Sequence, residues 1–159
     1  MSQDKKLKFS IDTSSLIQAW SRAYPPDSFP TFWDKMSDLV ERKILITPDV
    51  VMSELEKKDD GLHQWAKEHK ANLFYPMDIE IQEVAKGMLN KFPRLIDSKR
   101  GRSGADPFVI ALAKMTGRVV VTNELMGKPQ KPSIVDVCNE YNIECINLLD
   151  MIRRLGLRF

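Results

Sequence analysis

At 159 residues, 43% of them hydrophobic, the chain has the usual size of one domain and enough apolar content for a continuous core, so a single domain over 1–159 is expected. Charged residues make up 29% and are mixed in sign; the longest apolar runs, residues 108–113 and 119–121, fall far short of the ~20 residues of a membrane helix, which excludes a helical transmembrane protein. The 24 Lys and Arg against 22 Asp and Glu leave a net charge of +2, too little to argue for nucleic acid by bulk charge. The polar residues 1–8 carry no apolar stretch before a small-residue cleavage site, so no secretory leader and a cytoplasmic location are expected. Two cysteines, Cys138 and Cys145, make neither a disulfide scaffold nor a zinc knuckle and read as reduced packing residues.

In chain order, Leu7-Lys8-Phe9-Ser10-Ile11 alternates as a short strand does, and Asp12-Thr13-Ser14 supplies capping residues for a helix carrying Leu16, Ile17 and Trp20. After Pro25-Pro26, the three- and four-residue spacing of Phe29, Phe32, Trp33, Met36, Leu39 and Val40 predicts an amphipathic helix ending near Arg42. Ile44-Leu45-Ile46 is the next strand, and Thr47-Pro48-Asp49 reads as the start of a helix bearing Val50, Val51, Glu54 and Leu55. Residues 72–75 read as a strand and 79–88 as a helix. Asp106-Pro107 opens a helix that Gly117 closes. Residues 118–122 form the clearest strand, followed by helix 134–141, strand 143–146 and helix 148–155.

Strands that alternate with helices need crossover connections, so the expected fold is α/β: a three-layer α/β/α sandwich with a mostly parallel central sheet. Sites in such sheets lie just beyond the carboxyl ends of the strands. Asp12 and Glu124 follow strands directly, and Glu54 and Asp106 lie near helix starts that can face the same edge. Asp12 and Asp106 also suit plain N-capping, and Glu124 a solvated loop. Glu54 falls between Val50 and Val51 on the helical wheel, where a solvated face does not account for it. Four carboxylates meeting without a matching set of cations would call for a divalent ion. Hard oxygen donors without His or Cys suit Mg²⁺ or Mn²⁺, and such a site suits phosphodiester hydrolysis.

The stretches Phe9-Ser10-Ile11-Asp12-Thr13-Ser14, Pro48-Asp49-Val50-Val51-Met52-Ser53-Glu54-Leu55, Gly104-Ala105-Asp106-Pro107-Phe108-Val109-Ile110-Ala111-Leu112-Ala113 and Val120-Val121-Thr122-Asn123-Glu124 together resemble the four motifs of the PIN-domain nucleases, including the toxins of prokaryotic toxin-antitoxin pairs. The resemblance implies a metal-dependent ribonuclease with Asp12, Glu54 and Asp106 as core catalytic and metal-binding acids. Glu124 would be the fourth; the family more often has Asp there, so the longer Glu would bind through water, hold a second metal or leave the position weak. Ser14, Thr122 and Asn123 fall beside these acids, either orienting ligands or serving as ordinary caps and turns. Asp136 reads as part of a solvated helix face, with an additional site acid as the alternative.

Residues 84–102 hold six cations, Lys86, Lys91, Arg94, Lys99, Arg100 and Arg102, against the single acid Asp97. Lys99, Arg100 and Arg102 are the candidate RNA-binding group, with a solvated basic loop as the plain alternative. Phe92 reads as a core aromatic, with base stacking as its alternative. Trp20, Tyr24, Phe29, Phe32 and Trp33 read mostly as core; in the toxins that the chain resembles, helices near here form a groove for an antitoxin, so a cognate antitoxin or a homodimer partner is expected alongside the RNA. His63 and His69 have no catalytic spacing. Two other functions compete with the ribonuclease: a catalytically inactive PIN-like module binding RNA or protein, and a phosphatase, against which the absence of a second Asp after Asp12 argues.

Overall fold

The computed structural model describes residues 7–58, 60–96 and 104–159. Among the described residues five strands form one parallel sheet: β1 (Phe9–Ile11), β2 (Leu45–Pro48), β3 (Phe74–Tyr75), β4 (Val119–Val121) and β5 (Cys145–Ile146), in the order β3-β2-β1-β4-β5. Phe9 stands opposite both Leu45 and Val119, so β1 is paired on both sides at the centre of the sheet. Between β1 and β2 run α1 (Thr13–Gln18) and α2 (Pro30–Glu41); between β2 and β3, α3 (Val51–Lys58), α4 (Asp60–Glu68) and α5 (Lys70–Leu73). Helices α6 (Ile79–Lys91) and α7 (Asp106–Thr116) connect β3 to β4, α8 (Ile134–Glu140) connects β4 to β5, and α9 (Leu148–Leu155) follows. Among the described residues no helix is long and apolar enough to cross a membrane.

Successive strand residues point to opposite faces, and the two faces feed two cores. Phe9, Ile11, Leu45, Val119 and Val121 pack with α1, α2, α3 and α9 on one side, while Ile46 and Val120 pack with α6, α7 and α8 on the other. This is the expected three-layer α/β/α sandwich. Of Trp20, Tyr24, Phe29, Phe32 and Trp33, Phe32 and Trp33 are core and Trp20 and Tyr24 pack against it, as expected, while Phe29 is exposed; Tyr24 stacks on Phe32 at 4.1 Å, and Trp33 Nε1 donates to Tyr24 O at 2.7 Å.

Local differences from the sequence reading have local causes. Pro48 ends β2 rather than opening α3; its missing N–H is not needed there, and the next residue, Asp49, continues the pairing by donating its N–H to Tyr75 O at 3.0 Å. Asn72 lies in α5, leaving only Phe74–Tyr75 as strand. A π-helical turn over Ala19–Ala23 extends α1 without any Gly or Pro to signal it. Gly117, at φ +68°, closes α7 in the left-handed conformation that glycine adopts without a Cβ penalty.

Candidate active site

The strand order reverses at β1: β2 and β3 build outward on one side, β4 and β5 on the other. In a parallel sheet such a reversal opens a crevice beyond the carboxyl ends of the central strands. Asp12 occupies that position, one residue past β1, with no exposed surface. It does cap α1, its Oδ1 accepting the Ser15 N–H at 2.9 Å, but its Oδ2 also accepts the Thr122 hydroxyl at 2.6 Å from the end of β4. Burial pushes the Asp12 carboxyl above its ordinary value of 3.8, opposed in part by hydrogen bonds from Ser15, Thr122 and Ser14.

Asp106 is 2% exposed and lies inside the first turn of α7, with Ala105 rather than Asp106 at the cap position. Its expected alternative, simple N-capping, is therefore not its geometry. The far end of α7 leads through Arg118 into β4, whose Val119 N–H binds Lys8 O just ahead of β1. A helix that ends at the amino edge of the sheet starts at the carboxyl edge. Ser10 Oγ donates to Val109 O at 2.9 Å, fixing α7 against β1 three residues beyond Asp106 and two residues before Asp12. Asp12 and Asp106 thus belong to one edge. Glu54 joins that edge from the neighbouring strand: it lies half-buried in the first turn of α3, between the wholly buried Val51 and Leu55, on a helix packed against α1.

Glu124 behaves differently. Its Oε1 accepts the Ile134 N–H at 3.3 Å at the start of α8, where free N–H groups and the helix dipole attract a carboxylate. Among the described residues no three acids, histidines or cysteines stand so as to hold a metal ion together, so the expected convergence of four carboxylates is not the arrangement found. The longer side chain at 124 reaches along the loop to α8 instead.

The supporting residues are tied down. Thr122 Oγ1 accepts the Glu124 N–H at 3.1 Å while donating to Asp12. Asn123 donates its N–H to Ser15 Oγ and its Nδ2 to Gln18 Oε1, both at 3.1 Å, and accepts the Leu148 N–H at 3.2 Å, fastening β4 to α1 and α9. Ser14 lies half-buried beside Asp12. Ser10, Ser15, Gln18 and Thr47, which the sequence did not single out, share this framework; the Thr47 hydroxyl donates to Ile11 O at 2.7 Å. The signal for Ser10 and Thr47 was a hydroxyl residue inside an otherwise apolar strand. Asp136 is not on a solvated face: its Oδ2 accepts the Gly127 N–H at 2.7 Å and the Ser133 N–H at 2.8 Å. Lys99, Arg100 and Arg102 lie outside the described residues. His69 bonds Glu41 through Nδ1 at 3.0 Å, and Cys138 and Cys145 are free thiols that pack in the core formed with α6, α7 and α8.

The donor chemistry of the edge fits Mg²⁺ or Mn²⁺, which take hard oxygens. Mg²⁺ characteristically keeps several waters and needs only one or two protein carboxylates plus substrate phosphate, so the buried Asp12 with Asp106 suffices as a donor set without a three-acid cage. Thr13, the residue after Asp12, is buried, and its Oγ1 has no hydrogen-bond partner among the described residues.

The fold is shared with two solved complexes. VapBC2 from Rickettsia felis, bound to a DNA fragment from their promoter, aligns over 87% of this chain and 97% of that chain with a TM-score of 0.52 at 12% identity. FitAcB from Neisseria gonorrhoeae aligns over 87% and 96% with a TM-score of 0.50 at 13% identity. At these identities the likeness is one of fold. No curated protein matches the chain in sequence. The chain belongs to the family described as "Domain of unknown function (DUF4411)", which matches residues 9–159.

Proposed function

We propose that the protein is a Mg²⁺- or Mn²⁺-dependent endoribonuclease that hydrolyses RNA phosphodiester bonds, built as one PIN-like domain and acting as the toxin of a toxin-antitoxin pair with an antitoxin as its partner. The observation that carries the proposal is Asp12: a wholly buried carboxylate at the reversal of the strand order, held only by hydrogen-bond donors and by no cationic side chain among the described residues. An isolated buried carboxylate is costly, and a bound cation offsets that cost. The four-motif resemblance of the sequence to PIN-domain nucleases supports the same conclusion.

In this proposal Asp12 and Asp106 would hold the ion, with Glu54 on α3 and Glu124 on the loop as the further acids of the site. Bound there, it would supply activation of a water and neutralisation of charge on the scissile phosphate. The chain's own residues provide position. The Thr122 hydroxyl and Ser15 N–H hold the Asp12 carboxylate in one orientation, and the Ser10–Val109 bond holds α7 in register with β1.

The test is cleavage of a mixed RNA pool by the purified protein with Mn²⁺ or Mg²⁺, beside a chelator control and the Asp12→Asn and Asp106→Asn variants. Metal-dependent cutting that both variants lose is the expected result. Unchanged turnover in either variant overturns the site assignment. The engagement of Glu124 with α8 favours one alternative, a PIN-like module that binds RNA or protein without cutting; it predicts RNA binding indifferent to chelator and no cleavage under any metal.

A further inference from the structure

Two adjoining cavities of about 370 and 300 Å³ share Phe92, Pro129 and Pro132, and together make a groove between the end of α6 and the loop of residues 123–133. One wall is Phe92, Pro93 and Arg94; the other is Lys128, Pro129 and Pro132. The loop wall is braced: Gly127 N–H is held by Asp136, Lys128 and Lys131 exchange backbone hydrogen bonds at 3.2 and 2.8 Å, and a Cβ at Gly127 would meet Lys131 O at 2.2 Å.

The charges around the groove are unequal in their commitments. Lys91 is paired with Glu140 and lies 5.9 Å from the Phe92 ring centroid. Asp136 is already engaged by Gly127 and Ser133. Among the described residues Arg94 makes a 3.5 Å contact to Gln130 O, and neither Arg94 nor Lys128 has a carboxylate within ion-pair distance. The groove therefore offers a ring face, three proline faces and two cations.

We infer that this groove binds a nucleotide unit of single-stranded RNA, the base lying against Phe92 and the prolines and the phosphate meeting Arg94 and Lys128. A base needs a flat apolar face and a neighbouring cation for its phosphate, both of which are present. A peptide backbone would need donors and acceptors, and proline walls offer no N–H groups. The loop forming one wall begins at Thr122-Asn123-Glu124, and the Glu124–Ile134 bond ties that beginning to the start of α8, so the groove wall and the residues beside Asp12 belong to one loop. The inference rests on the ribonuclease proposal and specifies its substrate as single-stranded.

The test is fluorescence anisotropy of a labelled single-stranded RNA oligonucleotide bound to the full chain in chelator. Wild type is compared with Arg94→Ala/Lys128→Ala and with Phe92→Leu, while Asp106→Asn serves in a parallel cleavage assay. Arg94 and Lys128 are exposed, so the double variant keeps the fold, which circular dichroism checks. The expected result is affinity at least tenfold weaker in the double variant, with the slope of log K against log salt reduced by about 1.4, the share of two phosphates on a single strand. Phe92→Leu, which keeps apolar bulk but loses the ring, should weaken binding about tenfold. Wild-type affinity in the double variant, or no RNA binding by wild type, overturns the groove assignment. If the double variant binds normally while Asp106→Asn abolishes cleavage, the groove falls and the nuclease stands; if binding depends on the groove but no cleavage occurs with any metal, the nuclease falls. Displacement of the RNA by an acidic peptide at comparable affinity would assign the groove to a protein ligand and overturn the inference.

Discussion

The hydroxyl of Thr122 donates to Asp12 Oδ2 at 2.6 Å and accepts the Glu124 N–H at 3.1 Å, so one oxygen links the carboxylate after β1 to the backbone of the acid after β4. Because Asp12 is wholly buried, removing this donor leaves a carboxylate oxygen without its partner. Thr122→Val, nearly the same in shape, should cost about 1–3 kcal/mol of stability. Urea denaturation reads it as a lower midpoint at unchanged m-value, and Thr122→Ser should restore most of the loss. Equal midpoints for Val and Thr would show that the bond contributes nothing.

Asp12 also sets a pH dependence whose sign is fixed by the direction of its shift. Its carboxyl is raised on folding, so above pH 3.8 the native state binds more protons than the unfolded chain, and stability contributed by this group falls as pH rises from there through its folded value. Asp12→Asn removes that slope. The variant should match wild type in acid and exceed it in Tm progressively as pH rises. Parallel thermal melts across pH measure the difference, and a variant less stable than wild type at neutral pH would contradict it.

A divalent ion bound at Asp12 should reverse part of that cost. Mn²⁺ is expected to raise the Tm of wild type in a concentration-dependent manner and to leave Asp12→Asn unmoved, since only a ligand that prefers the native state shifts the melt. Equal shifts in both proteins would place the ion elsewhere.

Gly127 tests the braced loop. A Cβ there would sit 2.2 Å from Lys131 O and 2.8 Å from Asp136 Oδ2, and the first of these is backbone that cannot swing aside. Gly127→Ala should cost about 1–3 kcal/mol as an overpacked substitution. Gly87→Ala, with open space around its Cβ and a place inside α6, should instead stabilise by roughly 0.5–1 kcal/mol. Denaturation midpoints that move together in the two variants would refute the contrast.

Glu41, at the end of α2, gives an acid-side prediction. His69 and Asn72 hydrogen bonds lower its carboxyl below the ordinary 4.5, so its contribution is present above that value and lost as pH falls through the lowered one. Glu41→Gln should flatten the acid limb of the stability curve by a small amount, as befits an exposed pair. Melts between pH 3 and 6 are the check.

Much of this was readable from local pattern. Leu148–Leu155 was readable as a helix, and the structure adds its cap: Asn147 Oδ1 accepts the Asp150 N–H at 2.8 Å. Asp12 was visible because an acid directly follows an alternating strand. What was not readable is non-local. The reversal of strand order at β1 depends on which strands pair, and the bond between Ser10 and Val109 spans 99 residues. The bond that Glu124 accepts from the Ile134 N–H was not readable either, because that donor is brought to it only when the loop folds back on α8.

β1 is three residues long, yet its amides are closed off on both sides: Phe9 N–H is bound by Ile44 O, and Asp12 N–H, just beyond the strand, by Val121 O. Such amides exchange with solvent only when the whole sheet opens. The carboxylate that follows β1 is consequently fastened to the last part of the molecule to come apart. On heating, activity and global structure should disappear in a single step, with no inactive but folded species before it.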